Sequence, residues 1–231
     1  MMATRAKIYE FAPHRGALIA SQPALASIPS KLRAIADSWE INTGEILFRL
    51  GDRVQGVFFV IAGEVRLVRR TRDGAEIILQ RSRGGFFAEA SLGTSEYHCD
   101  AVAVEQSTVL RFPAKAFRTA LDEDRMFRDG WRTHLARELR KSRAQCERLS
   151  LKSAAQRIIH YIESEGAGGK VVLTETRKAW AAELGLTHEV LYRALRRMQA
   201  DGTLHIDTSC ISLVPQKGAA NSTGGMRPSE L

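Results

Sequence analysis

Arg177-Lys178-Ala179-Trp180-Ala181-Ala182-Glu183-Leu184-Gly185-Leu186-Thr187-His188-Glu189-Val190-Leu191-Tyr192-Arg193-Ala194-Leu195-Arg196-Arg197-Met198-Gln199-Ala200 (residues 177–200) reads as two helices joined by a tight turn. Trp180 and Leu184 share one face of a short first helix, Gly185-Leu186-Thr187 makes the turn, and His188 to Ala200 forms the second helix. Each piece has a local reason. Gly185 supplies a backbone conformation that other residues adopt at a cost, Ala181 lets the helices approach, and Thr187 can cap the second helix. Leu191 and Leu195 then face the core, which leaves His188, Glu189, Tyr192 and Arg193 outward near the helix start, with Arg196 one turn on.

A helix whose outward N-terminal residues carry arginine and glutamate suits a DNA major groove. Arginine can bond both acceptors of a guanine edge, and glutamate can accept from cytosine N4. The candidate contacts are Thr187, His188, Glu189, Tyr192, Arg193, Arg196, Arg197 and Arg177, with Arg197 as a phosphate contact. A plain helical hairpin with a solvated charged face is the alternative. Downstream, Leu204-His205-Ile206 and Ile211-Ser212-Leu213-Val214 flank Asp207-Thr208-Ser209 and predict a β-hairpin wing. Helix-turn-helix and wing together make a complete DNA-binding module.

Upstream, Ser153 can cap a helix carrying Ala155, Ile158, Ile159 and Ile162, which Gly166-Ala167-Gly168-Gly169 closes before a short strand at Val171–Leu173. Further back, Leu135, Leu139, Ser142, Cys146 and Leu149 recur at spacings of 4, 3, 4 and 3 among charged residues. That is the seam of a coiled-coil helix and predicts a dimer interface with a second copy; a helix packed on its own β-domain is the other reading. The break at 149–153 predicts a hinge.

Residues 46–112 read instead as short strands. Ile46-Leu47-Phe48 ends at Gly51-Asp52, Val57 to Ile61 ends at Gly63, and Val65 to Val68 meets Ile77 to Leu79 across Asp73-Gly74, a strong hairpin signal. Ala101–Val104 and Thr108–Phe112 continue the pattern and predict an antiparallel sandwich or jelly roll. Nothing here reads as a βαβ nucleotide fold.

The chain of 231 residues is 44% hydrophobic and 26% charged, enough for one large or two modest domains. No run approaches the ~20 apolar residues a membrane span needs, and Met1–Glu10 has no signal-peptide block, so a soluble cytoplasmic protein without a membrane partner is expected. Cys99, Cys146 and Cys210 lie 47 and 64 positions apart, a spacing unlike a zinc knuckle, a CxxC site or a disulfide framework. The net charge of +8 is concentrated: residues 125–149 hold 8 basic and 3 acidic groups (+5). Such a surplus favours polyanions without conferring sequence preference, and it fits a solvated helix face equally well. Asp122-Glu123-Asp124 reads as a solvated cap, and no nucleophile elbow, Walker loop or metal-protease helix occurs. No enzyme activity and no metal site are expected.

These segments in this order resemble the Crp/Fnr family of bacterial transcription regulators over roughly Ile41 to Val214. The resemblance rests on Gly44-Glu45-Ile46-Leu47-Phe48-Arg49-Leu50-Gly51-Asp52, Val57-Phe58-Phe59-Val60-Ile61-Ala62-Gly63-Glu64-Val65, Asp73-Gly74-Ala75-Glu76, Gly85-Phe86-Phe87-Ala88-Glu89, the long helix, and Gly185-Leu186-Thr187-His188-Glu189 with Arg193. It implies an α+β chain: a cyclic-nucleotide-binding-type β-roll (jelly roll) at 1–124, a dimerisation helix at 125–150 and a winged helix-turn-helix at 151–215. Composition adds a disordered tail at 216–231. The resemblance further implies a homodimer on near-palindromic double-stranded DNA, with RNA polymerase as a further partner and with Glu189 and Arg193 reading bases. Where the cyclic-AMP receptor has arginine, this chain has His188.

The effector region departs from the family pattern. The phosphate cassette of members that bind cyclic AMP resembles Gly-Glu-Leu followed about ten residues later by Arg-Ser or Arg-Thr. Here Ala88-Glu89-Ala90 and Tyr97-His98 stand in those places. The glutamate that would hold a ribose is kept and the phosphate arginine is missing, so cyclic AMP is not expected in the usual manner and no cofactor is assigned. The candidate pocket is Glu89, Ala88, Tyr97 and His98, with Arg81 or Arg83 as substitute cations. His98-Cys99 carries the alternative of a haem- or thiol-based redox sensor, against a solvent-facing histidine beside a buried strand cysteine.

Overall fold

The computed structural model describes residues 22–74, 76–173 and 176–215. The tail expected over 216–231, the first 21 residues of the expected sensor region and Ala75 of the Asp73-Gly74 turn lie outside them. The described residues fall into two compact units that divide between His134 and Leu135.

The first unit contains two four-stranded antiparallel sheets. Strands β1 (Asp37–Ile41), β8 (Ser107–Pro113), β3 (Gly56–Ala62) and β6 (Phe86–Phe87) form one in that order. Strands β2 (Ile46–Phe48), β7 (Asp100–Ala103), β4 (Val65–Arg70) and β5 (Glu76–Ser82) form the other. This is the expected jelly roll, and Gly74 makes its β4–β5 turn at φ +86. The continuous apolar run of β3 follows from burial on both faces. Phe58 and Val60 join Trp39, Ile41, Phe48, Phe87 and Tyr97 in the core shared by the two sheets. Val57 and Phe59 pack on the opposite side with Leu25, Leu32, Leu110, Phe117, Phe127 and Trp131.

That second layer brings helices that periodicity left unread: α1 (Ser30–Ala34) and α2 (Ala114–Glu123), the latter directly before the long helix α3 (Arg125–Ser150). Strands β1 and β6 were likewise outside the expected set. Asp124 caps α3 by accepting from the Phe127 amide at 2.9 Å, in keeping with the solvated-cap reading of the acidic run.

The second unit carries α4 (Ala154–Glu165), β9 (Lys170–Val172), α5 (Arg177–Glu183), α6 (His188–Ala200), β10 (Leu204–Ile206) and β11 (Cys210–Leu213). Ser153 and Gln156 form a reciprocal capping box at the start of α4. Ile158, Ile162, Trp180, Leu184, Leu191, Leu195, Met198, Leu204 and Ile211 make one core. The wing is a three-stranded sheet in the order β10-β11-β9, with Ile211 opposite Val171, one strand more than the expected hairpin.

The position of the division differs from the expected hinge at 149–153. It falls inside α3, because Phe127 and Trp131 bury in the first unit while Arg148 buries against α4 in the second. The broken seam pattern after Leu149 marks a change of helix: only Leu151 and Lys152 separate Ser150, where α3 ends, from the Ser153 cap.

Candidate nucleic-acid interface

Both helices of the helix-turn-helix begin at a threonine. Thr176 accepts from the Ala179 amide at 3.2 Å and Thr187 from the Val190 amide at 3.3 Å, each satisfying a donor that has no partner within its helix. Gly185 sits at φ +63 and the Leu186 amide returns to the Ala181 carbonyl at 2.9 Å, so the turn closes tightly. Leu191, Leu195 and Met198 are buried, which fixes which face of α6 looks outward.

On that face Thr187, His188, Glu189, Tyr192, Arg193, Arg196 and Arg197 are all exposed, and Arg177 on α5 is half-buried. Helical spacing sets them in two rows, His188-Tyr192-Arg196 and Glu189-Arg193-Arg197. The His188 ring lies 4.4 Å from that of Tyr192, and the Arg177 guanidinium lies 6.0 Å from the Tyr192 ring. Arg177, Tyr192 and His188 therefore form one cluster, bridging the two helices. Glu189 occupies the first turn of α6, where a negative charge is favoured.

The seam residues Leu135, Leu139, Ser142, Cys146 and Leu149 are also exposed, the leucines to 40%, 53% and 44%. They begin four residues beyond buried Trp131, so α3 changes from packed helix to open apolar row at the division between the units.

The residues expected around an effector are placed otherwise. The Glu89 side chain is 7% exposed and its Oε1 lies 3.2 Å from His134 Nε2 on α3, with the His134 ring 4.8 Å from that of Trp131 and 5.3 Å from that of Phe86. Ala88 holds a left-handed conformation at φ +67, one that an L-residue adopts only with strain. Tyr97 is a core residue. Its ring stacks on Phe48 at 3.6 Å, and its hydroxyl accepts from the Gln55 and Gly56 amides and donates to the Gly56 carbonyl. Burial pushes its phenol up.

Arg81 and Arg83, offered as substitute cations, are turned to a carboxylate of the same chain. Together with Arg66 they converge on the buried carboxylate of Glu64: Arg66 Nε and Arg81 Nη1 approach Oε1 at 3.0 and 3.1 Å, and Arg83 Nε approaches Oε2 at 2.7 Å. Burial alone would raise the Glu64 pKa; the hydrogen bonds from Arg66 and Arg83 and the charges of Arg83 and Arg81 outweigh it and hold the carboxyl below its ordinary value. In the sequence Glu64 stands out only within the Val57–Val65 stretch of the family resemblance, and His134 only as a position in the long helix. The signal that would have found their partners is strand register and helix packing, which a linear pattern does not display.

His98 is exposed, with Nδ1 3.0 Å from Ser91 Oγ. Cys99 is buried just before β7, and burial, followed by the Asp100 charge, pushes its thiol up to about 11. At neutral pH it is a protonated thiol, a poor site for oxidation or metal binding. Among the described residues no group of three or more His, Cys, Asp or Glu side chains is arranged to hold a metal ion. Of the expected effector residues, Glu89 is engaged by His134, and Tyr97 and His98 stand at 97–98.

Residues 39–124 match the cyclic nucleotide-binding domain family. The chain is 26% identical over 173 residues to the cyclic AMP receptor protein of Thermus thermophilus, covering 74% of this chain and 80% of that one. It is 24% identical over 196 residues to the fumarate and nitrate reduction regulatory protein of Escherichia coli, covering 81% and 78%. The solved structure of FixK2 from Bradyrhizobium japonicum shares the fold at a TM-score of 0.59, with 23% identity over 78% of this chain and 92% of that one. An 86-residue match at 26% identity to lysophospholipase nte1 of Neurospora crassa spans only 6% of that protein, so nothing of its activity attaches to this chain. With its jelly roll, long helix and winged helix-turn-helix, the chain is similar over most of its length to transcription regulators of the Crp/Fnr family.

Proposed function

We propose that the chain works as a cytoplasmic homodimer, joined along Leu135, Leu139, Ser142, Cys146 and Leu149, that binds near-palindromic double-stranded DNA by sequence and acts on RNA polymerase, without enzyme activity. The observation that carries this reading is the exposed face of α6, where Glu189 and Arg193 stand one turn apart on a capped helix beside a wing. Arg193 supplies a bidentate donor for guanine, Glu189 an acceptor for cytosine N4, and Arg197 a phosphate contact. No helix among the described residues is long and apolar enough to cross a membrane.

The effector is something other than cyclic AMP bound in the usual way, since a phosphate buried in the roll would find no arginine at Tyr97-His98. The redox reading of His98 and Cys99 has less behind it, given a buried thiol with a raised pKa. Binding to palindromic and scrambled duplexes at two salt concentrations tests the main reading. Selectivity for the palindrome at both concentrations supports it, and equal affinity for both sequences at each concentration sinks it.

A further inference from the structure

Two arginines fasten the end of α3, one to α4 and one to the turn of the helix-turn-helix. The half-buried Arg157 on α4 donates to four main-chain carbonyls at the ends of two different helices. Nε reaches Leu151 O at 3.0 Å and Nη2 reaches Leu149 O at 3.2 Å, both at the C-terminal end of α3. Nη1 reaches Leu184 O at 3.1 Å and Gly185 O at 3.0 Å, in the turn of the helix-turn-helix. Carbonyls at helix ends have no partner within their helix, and they carry partial negative charge that a cation offsets. Arg148, 1% exposed on α3, donates from Nη2 to Ser164 Oγ at 3.1 Å and Glu165 Oε1 at 2.9 Å, and its guanidinium lies 4.7 Å from the Tyr161 ring.

Gly185 supplies an independent sign of close fit. A Cβ there would lie 2.7 Å from Leu149 Cδ2 and 3.1 Å from Arg157 Nη1. Leu149 is therefore at once the last residue of the exposed apolar row and the residue against which the turn of the helix-turn-helix rests.

We infer that Arg157 is a positioning residue that sets the distance and angle between the two recognition helices of the dimer, and so the spacing of half-sites the protein accepts. This rests on the proposed dimeric, DNA-binding reading. If α3 pairs with its copy along the row ending at Leu149, the Arg157 guanidinium is the hydrogen-bonded link that ties the turn before each α6 to the end of α3 and so to the dimer axis. Loosening that contact leaves the chemistry of base reading intact and loosens the geometry between two copies.

The test uses the full chain and a palindromic duplex selected by the wild-type protein from a random pool, with derivatives carrying one base pair fewer, or one or two more, at the centre. Each inserted pair rotates one half-site by about 35° and moves it about 3.4 Å. The wild-type protein is expected to lose about tenfold in affinity for each inserted pair, and Arg157→Gln to show less than about threefold difference among spacings. Its affinity for an isolated half-site and its sedimentation as a dimer should stay at wild-type values. Arg157→Lys, which keeps the charge and reaches fewer carbonyls, should fall between and decides the matter if the glutamine variant does not fold. A variant with the wild-type spacing profile overturns the inference and leaves the proposed function standing. A wild-type protein that selects no duplex from the pool overturns the proposed function itself, and this inference with it.

Discussion

The outward face of α6 and the polar positions of the first unit are built from the same kinds of residues, arginine, glutamate, histidine and tyrosine, in opposite situations. On α6, Glu189, Arg193 and Arg196 are exposed on a helix whose cap and core are already satisfied without them. In the jelly roll, Glu64 is buried under Arg66, Arg81 and Arg83, Glu89 is held by His134, and the Tyr97 hydroxyl is bonded to backbone at Gln55 and Gly56. Polar groups that bond within the chain contribute to folding, whereas those left to solvent are available to a partner. The contrast favours the second unit as the seat of the proposed recognition and gives the first a self-contained polar framework.

That contrast makes opposing demands on stability and on binding. The largest effect is expected for Glu64→Gln, which leaves three guanidiniums around a neutral amide. It should lower unfolding free energy by about 2–4 kcal/mol, read from the denaturant midpoint, with an unchanged midpoint removing the framework from the comparison. The same carboxylate gives a pH signature. Its folded pKa lies below the ordinary 4.5, so its contribution is complete above that value and is lost as pH falls through the folded pKa; the gap between wild type and variant should narrow in that acid window.

Arg193→Ala should do the reverse, costing ~1–3 kcal/mol in specific binding and relaxing preference at one base pair per half-site. Its unfolding free energy should stay within about 0.5 kcal/mol of wild type. A stability loss as large as the binding loss would show that Arg193 belongs to the framework. His134→Ala, which frees the Glu89 carboxylate and removes a ring packed on Trp131, is expected to cost about 1–2 kcal/mol of stability. The smallest change is Ala88→Gly. Relief of the left-handed strain is partly offset by chain entropy, leaving a gain of up to about 1 kcal/mol in thermal unfolding; a loss instead would mean that the Ala88 methyl packs more usefully than its conformation costs.

Most of the architecture was legible because its signals are short-range. The Asp73-Gly74 turn, the Ser153 and Thr187 caps and the Gly185 turn all stand where the sequence placed them, as do the strand runs from Ile46 to Phe112. Strand β1, with Trp39 at its centre, passed unread because Asp37-Ser38-Trp39-Glu40-Ile41 has too few apolar residues to show a strand pattern, and helix α2, with Phe117, because it has no side-chain cap and runs almost directly into α3. Of the candidate site residues, those on α6 share one face by helical period alone. Arg81, Arg83 and Tyr97 were read toward a ligand because a sequence shows a residue's charge or hydroxyl without showing which group of the same chain already holds it.

By itself, then, the sequence determined most of the strands and helices, the turns and caps that bound them, and the identity of the outward row His188, Glu189, Tyr192, Arg193 and Arg196, since all of these depend on atoms within about four residues of one another. Only the tertiary structure decided that Glu64 gathers residues 66, 81 and 83, that Glu89 meets His134, that α3 changes company between His134 and Leu135, and that Arg157 links Leu149 and Leu151 to Leu184 and Gly185. Those pairings join positions separated by up to 45 residues, and strand register and helix packing set them; both are settled only when whole faces are buried together.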